Sequence, residues 1–339
     1  YKVTDAGGKT STCSFTVTVN DTEIPVISCP NNIVVSNDAG VCGATVTYTT
    51  PSGSDNCPGA STVQTSGLAS GSVFPIGVTT NTYKVTDASG NTATCSFTVT
   101  VNDTELPTIS CPSDITKDAD AGLCSALVTY TTPVGSDNCP GATTVQTAGQ
   151  ASGSYFPVGV TTNTFKVTDA SGNTATCSFT VTINDAIGPD ILTCPVARTI
   201  EGCSVSAITS PAYSATLATS SYAVFNGAPN NGVATDNCAI TTVQYIDVAS
   251  GTCPLTVTRT WIVTDAAGNS DQCNQVITVT DTQVPVISAC PTTRNVEGCN
   301  ATSITTPVYS TTWATTTYSV FSSTPNNGIA SDNCGITSV

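Results

Sequence analysis

Aspartate and cysteine are the residues of this chain whose types and spacing can do chemistry, and both recur. The stretch VTDASGNTATCSFTVTVNDTELP, Val85 to Pro107, returns nearly unchanged at Val167 to Pro189 and at Val3 to Pro25, and more loosely at Val263. Its carboxylates and amides are oxygen donors of the kind calcium takes. Its cysteine is of the kind a disulfide framework takes. Catalysis is the weaker reading. The chain has no histidine, so it holds neither a Ser-His-Asp nor a Cys-His arrangement. Acidic residues repeated identically in tandem copies also suit a structural role better than one active centre, and the chain reads as a non-enzyme.

The carboxylates fall into three sets. Asp21, Asp103, Asp185 and Asp281 stand where repeats join, with Glu23 and Glu105 two residues further on. These six are the candidate calcium ligands, in a pattern that resembles the acidic junctions of tandem cadherin-like domains, where oxygen ligands from both neighbours stiffen the joint. The bland alternative is a solvated linker whose prolines, Pro25 and Pro107, limit flexing. Gln283 and Ile187 replace the glutamate at the other two junctions. Asp87, Asp169 and Asp265, each followed by an asparagine at Asn91, Asn173 or Asn269, read as turns, because the first copy has Lys9 at the asparagine position. Asp55, Asp137, Asp236 and Asp332 precede Asn-Cys and read as Asx-type turns beside a disulfide. Calcium at the junctions is thus the one candidate cofactor.

Composition narrows the partners. Eight Lys and Arg in 339 residues, with a net charge of -15, cannot form the basic stripe that phosphate neutralisation requires. Nucleic acid is excluded on that ground. No run of about 18 apolar residues is present, so no membrane insertion is expected in this segment. Seventeen cysteines at fixed offsets from turns point to disulfides and an extracellular setting. Zinc would want CxxC-like pairs, often with histidine, and neither occurs.

The elements that must position these groups repeat as well. Cys13, Cys95 and Cys177 are 82 residues apart, as are Cys29 and Cys111, Cys42 and Cys124, and Cys57 and Cys139. Two complete short modules run over 21–102 and 103–184, and residues 1–20 are the C-terminal part of an earlier one. A long module covers 185–280, and 281–339 is the N-terminal part of another. Starting inside a repeat and lacking methionine, the chain reads as a window on a longer one. In CSFTVTV, Cys95, Phe97, Val99 and Val101 alternate with Ser96, Thr98 and Thr100, the signature of a half-buried strand. Short strands broken by Pro, Gly, Asn and Asp every ten or so residues predict a β-sandwich, and no helical period of useful length is found.

Core-facing positions at the two ends of each module predict staples Cys29–Cys95 and Cys111–Cys177, with Cys194–Cys273 as the long-module equivalent. Cys42–Cys57 and Cys124–Cys139 would then close shorter loops. On chain-entropy grounds each staple contributes about 3 to 4 kcal/mol. Among Cys203, Cys238 and Cys253 one cysteine is left over, and the spacing does not say which.

The series D-T-x-x-P with I-S-C-P (Asp21 to Pro30), S-D-N-C (Ser54 to Cys57), F-P-x-G-x-T-x-N-T-Y (Phe74 to Tyr83) and V-T-D-A-x-G-N-x-A-x-C-x-F-x-V-x-V (Val85 to Val101) resembles the hyalin repeat, or HYR, domain. The resemblance covers both short modules and weakens in the middle of the long ones, where Cys253-Pro254 replaces Phe74-Pro75. It implies an all-β chain of tandem immunoglobulin-like β-sandwich modules arranged end to end, in an extracellular protein associated with adhesion. Arrays of near-identical, Thr-rich modules resemble the giant surface proteins of Bacteroidota-type bacteria, which implies the stalk or filament shaft of a cell-surface adhesin. In that role the main partners are neighbouring modules of the same chain.

The long modules differ by inserts at 211–234 and 307–330. Tyr213, Tyr222 and Phe225 in the first match Tyr309, Tyr318 and Phe321 in the second, and Trp313 stands where Leu217 does. Aromatic side chains on an added hairpin can stack on a surface glycan or anchor an extracellular protein. The alternative, which is favoured, is that they cover the module's own sheet edge or pack against the next module.

Overall fold

The computed structural model describes residues 1–291, 293, 295–296, 305, 307, 310, 312–323, 326, 328–336 and 339. Strand accounts for 45% and helix for 4%. The chain is all-β, as the alternation predicts, and its modules are immunoglobulin-like sandwiches.

A hairpin of β1 (Lys2–Thr4) and β2 (Thr10–Thr12) opens the chain. The first complete module then contributes β3 (Ile33–Ser36), β4 (Gly43–Val46), β5 (Ser61–Ser66), β6 (Ser72–Pro75), β7 (Gly77–Thr86) and β8 (Thr92–Asn102). Four of these form a sheet in the order β3-β8-β7-β5, and β4 pairs with β6 in a second. Period-two sequence becomes one buried face. Phe97, Val99 and Val101 of β8 and Tyr83 of β7 meet Ala44, Val46 and Phe74 from the small sheet. Thr98 and Thr100 face outward between them. Most strand pairs are antiparallel, but β3 runs parallel to β8, with Ser36 beside Asn102. That pairing carries the loop after β3 to the end of the module where the chain leaves it.

The second module repeats the pattern with β9 (Ile115–Asp118), β10 (Ser125–Val128), β11 (Thr143–Ala148), β12 (Ser154–Pro157), β13 (Gly159–Thr168) and β14 (Thr174–Asn184). The long module has β15 (Asp190–Thr193), β16 (Arg198–Glu201), β17 (Ala218–Ser220), α1 (Tyr222–Asn226), β18 (Val233–Thr235), β19 (Ile240–Ser250), β20 (Leu255–Asp265) and β21 (Ser270–Thr280). Its large sheet runs β16-β21-β20-β19-β17, and β15 pairs with β18. A last fragment adds β22 (Val286–Ala289), α2 (Tyr318–Ser322) and β23 (Ile329–Ser331).

The insert is not the added hairpin expected from the sequence. β17 pairs with β19 and extends the large sheet, and a five-residue helix follows. Ser221 caps that helix, its hydroxyl accepting from Val224 N at 3.2 Å, and Gly227 ends it by donating to Ala223 O. A helix this short leaves no periodicity to read, and its cap is its only local signal.

Candidate functional site

Disulfides form two kinds of staple. Cys29 is bonded to Cys95, Cys111 to Cys177 and Cys194 to Cys273, each joining the two ends of one module. The short-loop pairings expected from spacing are not made. Cys42 is bonded to Cys139 and Cys124 to Cys238, 97 and 114 residues apart in the chain. Cys203 is likewise bonded to Cys334. Each of these crosses from one module to the next. The reason is the parallel β3–β8 pair. Asn37 N donates to Asn102 O, so the loop bearing Cys42 lies at the departing end of its module. Cys57 lies at the opposite end, where Ser54 bridges Val26. A bond between Cys42 and Cys57 would have to span the sandwich, and a disulfide reaches only about 4.4–6.8 Å between Cα atoms. The same rule settles the long module, because Cys203 and Cys238 both serve junctions and Cys253 is the thiol left over.

Hydrogen bonds reinforce each junction. Asn138 Nδ2 donates to Val41 O of the preceding module at 3.1 Å, and Asn237 Nδ2 does the same to Leu123 O at 3.2 Å. Glu105 Oε2 accepts from Gly40 N at 2.8 Å and from Asn37 Nδ2 at 3.3 Å. This glutamate is therefore a clamp on the preceding module's loop, and Glu23 is occupied by Asn56 Nδ2 at 2.7 Å. At the junction that opens with Asp281 the clamp is reversed. Glu201 of the preceding module accepts from Thr282 and, at 3.0 Å, from Asn333 Nδ2. The Thr282 hydroxyl first, and then its backbone N–H and Asn333, hold the Glu201 carboxyl below the usual range against the effect of burial.

The T-D-A-x-G-N segments are turns. Asp87 Oδ1 accepts from Ser89 N and Asn91 N, and Oδ2 from Asn91 Nδ2 at 2.8 Å. Burial opposes ionisation of Asp87, but the Asn91 amide and the N–H groups of Asn91, Gly90 and Ser89 outweigh it and lower the pKa. Asp169 and Asp265 repeat the arrangement. The asparagine has a second task. Asn173 Nδ2 donates to Asp103 O at 3.2 Å and Asn269 Nδ2 to Asp185 O at 3.1 Å, tying the turn to the residue that opens the module.

Structure brings two of the three aspartate sets together. One ligand atom each of Asp21, Asp55 and Cys57 lie within 4.8 Å of one another, as do those of Asp103, Asp137 and Cys139, of Asp281, Asp332 and Cys334, and of Asp185, Asp236 and Asp265. Reading the S-D-N-C aspartates only as turns missed this. Each does close a turn, Asp137 Oδ2 accepting from Cys139 N at 2.9 Å, but its other oxygen is buried with no hydrogen-bond partner. The Cys57 thiol is pushed up, first by its hydrogen bond with Asp21, then by burial and by the charges of Asp21, Asp55 and Asp87.

Of the inserts' described aromatics, Phe225 is buried and Tyr213, Tyr222, Tyr318 and Phe321 are half-buried. Phe225 is fully buried against Trp261, with ring centroids 5.5 Å apart. Tyr222 donates from its hydroxyl to Ala234 O, as Tyr318 does to Ala330 O, both at 2.8 Å. Tyr213 packs on the cluster around Ile208 and Val257, and Phe321 pairs with Tyr318. These contacts give the residues a part in building the module. Tyr309 lies outside the described residues. Trp313 is fully exposed. The sequence also gave no warning of a buried ion pair in this module, in which Arg259 Nε and Nη2 donate to Asp247 at 2.7 and 2.8 Å.

Repeating sandwiches with this cysteine and turn pattern define a class of extracellular-type modules, and comparison gives the class its name. Residues 20–101 and 102–183 each match the HYR domain, so these two short modules are tandem HYR domains. It is 34% identical to hyalin of Strongylocentrotus purpuratus over 86% of its own length and 24% of that protein's. Hyalin of Lytechinus variegatus is 32% identical over 59% of this chain and 39% of its own. The sushi, von Willebrand factor type A, EGF and pentraxin domain-containing protein 1 of Rattus norvegicus is 36% identical over 52% of this chain and 5% of its own. The chain thus spans well under half the length of these relatives. All three are animal proteins and lend no support to the bacterial attribution. Among solved structures, the protocadherin gamma B4 extracellular domain overlaps 80% of this chain and 52% of its own at 14% identity and a TM-score of 0.29, too loose to add to the fold described above.

Proposed function

We propose that this chain is a structural repeat region of an extracellular adhesion protein, a stalk or shaft that holds a distal binding region away from its anchor. The observation that carries the reading is the chain of junction disulfides, Cys42–Cys139, Cys124–Cys238 and Cys203–Cys334. Each closed loop overlaps the next and interleaves with the end-to-end staples, so a pull along the chain finds little backbone free to extend. An element that only presented a ligand site would have no use for covalent continuity from module to module. Disulfides at this density persist outside the cytosol, and no described helix is long and apolar enough to cross a membrane.

Single-molecule stretching of the oxidised chain tests this. We expect no extension steps of module size until reductant is added, and then steps of about 3.3–3.6 Å per residue released. Module-size steps in the oxidised chain would reject the load-bearing role. The second reading, contact with glycan or protein through the long-module inserts, rests on Trp313 alone.

A further inference from the structure

We propose that each module junction holds a hard divalent cation of the calcium class, bound between the aspartate that opens the module and the aspartate of its S-D-N-C or T-D-N-C turn. Asp103 with Asp137 is the clearest instance. Asp103 is 8% exposed. Its Oδ1 accepts from Glu105 N at 3.2 Å, while Oδ2 is buried with no hydrogen-bond partner. Asp137 mirrors it: Oδ2 accepts from Cys139 N, and Oδ1 is buried and unpartnered. The two carboxylates lie in one cluster within 4.8 Å. Cys139 completes that cluster but is spent in the bond to Cys42, so it offers no thiolate.

Turn formation accounts for one oxygen of each aspartate and leaves the other unexplained. Buried carboxylate oxygens are costly unless something satisfies them, and two like charges in one cluster compound the cost. The ion pairs among the described residues, Lys117–Asp120 and Arg259–Asp247, do not reach them. A cation removes both difficulties at once. The donors are hard oxygens, which select calcium over the softer transition metals.

Recurrence makes an accident of one loop a poor explanation. Asp21 Oδ2 and Asp55 Oδ1 are buried and unpartnered, as are Asp185 Oδ2 and Asp236 Oδ2, and so is Asp332 Oδ2 beside Asp281. At the third junction Asp265 brings another carboxylate into the cluster. Asn138 and Asn237, next to the turn aspartates, each carry a further buried Oδ1 with no partner. The ligand set differs from the one suggested by the sequence, because Glu23 and Glu105 are engaged elsewhere and the turn aspartates take their place. This inference does not rest on the load-bearing reading, since a junction can bind a cation whether or not it carries tension.

The test is calorimetric titration of Ca2+ into the oxidised full chain after chelator treatment, with thermal melting in parallel. We expect saturable binding and a melting temperature that rises with Ca2+. Asp137→Asn should remove one site while its side-chain oxygen still accepts from Cys139 N, and Asp103→Asn should remove the same site. Non-reducing peptide mapping of Cys42–Cys139 reports whether each variant has kept its junction. Glu105→Gln should leave the number of sites unchanged. A wild-type chain giving neither heat nor a thermal shift with Ca2+ overturns the proposal. So does unchanged stoichiometry in both aspartate variants with the Cys42–Cys139 bond intact.

Discussion

At the centre of the short module, facing positions on β7 and β8 hold Asn81 and Phe97. The same positions on β20 and β21 of the long module hold Arg259 and Gln275. Both sets sit two residues from an aromatic that faces the staple cysteine, Tyr83 opposite Cys95 in one case and Trp261 opposite Cys273 in the other. The frame is shared and the filling is not. In the short module Phe74 from β6 closes the core against Tyr48, which also packs edge-on against Phe97 at 4.9 Å. The long module has Cys253-Pro254 where the short one has Phe74-Pro75; Phe225 from the insert packs against Trp261, and Ile208 packs on Ile277 and Val279. The lesson is that an insertion can be structural: the extra residues are the lid of the core they interrupt.

The sharpest way to break this comparison is to remove that lid. Phe225→Ala should cost the long module about 3–5 kcal/mol, the range for a buried Phe, and Phe74→Ala should cost the short module a similar amount. Denaturant melts followed separately through Trp261 and through Tyr83 would assign each loss to its module. Deleting 211–234 outright should unfold the long module, whereas a decorative insert would come away with little change.

Arg259 gives an effect of similar size with a different sign structure. It is fully buried, bidentate to Asp247 and 4.3 Å above the Tyr245 ring. Arg259→Met strands the Asp247 carboxylate and should cost about 3–5 kcal/mol. Replacing both partners, Arg259→Met with Asp247→Leu, should recover most of that loss, since a well-packed apolar pair of similar volume is often neutral or better. A double variant no more stable than the single one would show that the pair does more than satisfy its own charges.

In the short module the matching polar device is smaller. Asn81 Oδ1 accepts from Leu68 N at 2.7 Å and from Gln64 Nε2 at 3.3 Å, holding the loop after β5. Gly67, at φ 90°, lies directly over that amide, and an added Cβ would fall on Asn81 Oδ1. Gly67→Ala should therefore combine backbone strain with a displaced brace, for a loss of about 1–3 kcal/mol. The long module, which braces with Arg259 instead, offers no equivalent target.

How much of this was legible in the sequence follows from where each signal resides. Strand alternation is local, so the buried faces of β7 and β8 could be read from residues such as Phe97 and Val99. The end-to-end pairing of Cys29 with Cys95 followed from the same alternation. Junction pairing is not local. It depends on β3 lying parallel to β8, which sends Cys42 away from Cys57, and four-residue Ile33–Ser36 carries no mark of its direction. The odd cysteine of the long module was a hint, because five cysteines cannot all pair within one module; Cys203 and Cys238 leave it and Cys253 stays free. The Asp55 and Asp137 oxygens were hidden in another way, since a turn motif explains an aspartate fully until its second oxygen is counted.

The smallest expected effect sharpens the comparison most, because it separates the inserts' structural part from any contact they make. Trp313 is the described insert aromatic that stays in solvent, while Phe225, Tyr222 and Tyr213 are tied into the core or its edge. Trp313→Ala should change stability by no more than about 0.5 kcal/mol, as for other exposed positions. If the inserts only close the core, the same variant should bind and adhere like the parent chain in a surface-attachment assay. Loss of attachment with an unchanged melting curve would mean that the insert has two faces, one filling the sandwich and one left for a partner. That outcome would restore the binding reading for Trp313 while leaving the buried aromatics where the core has placed them.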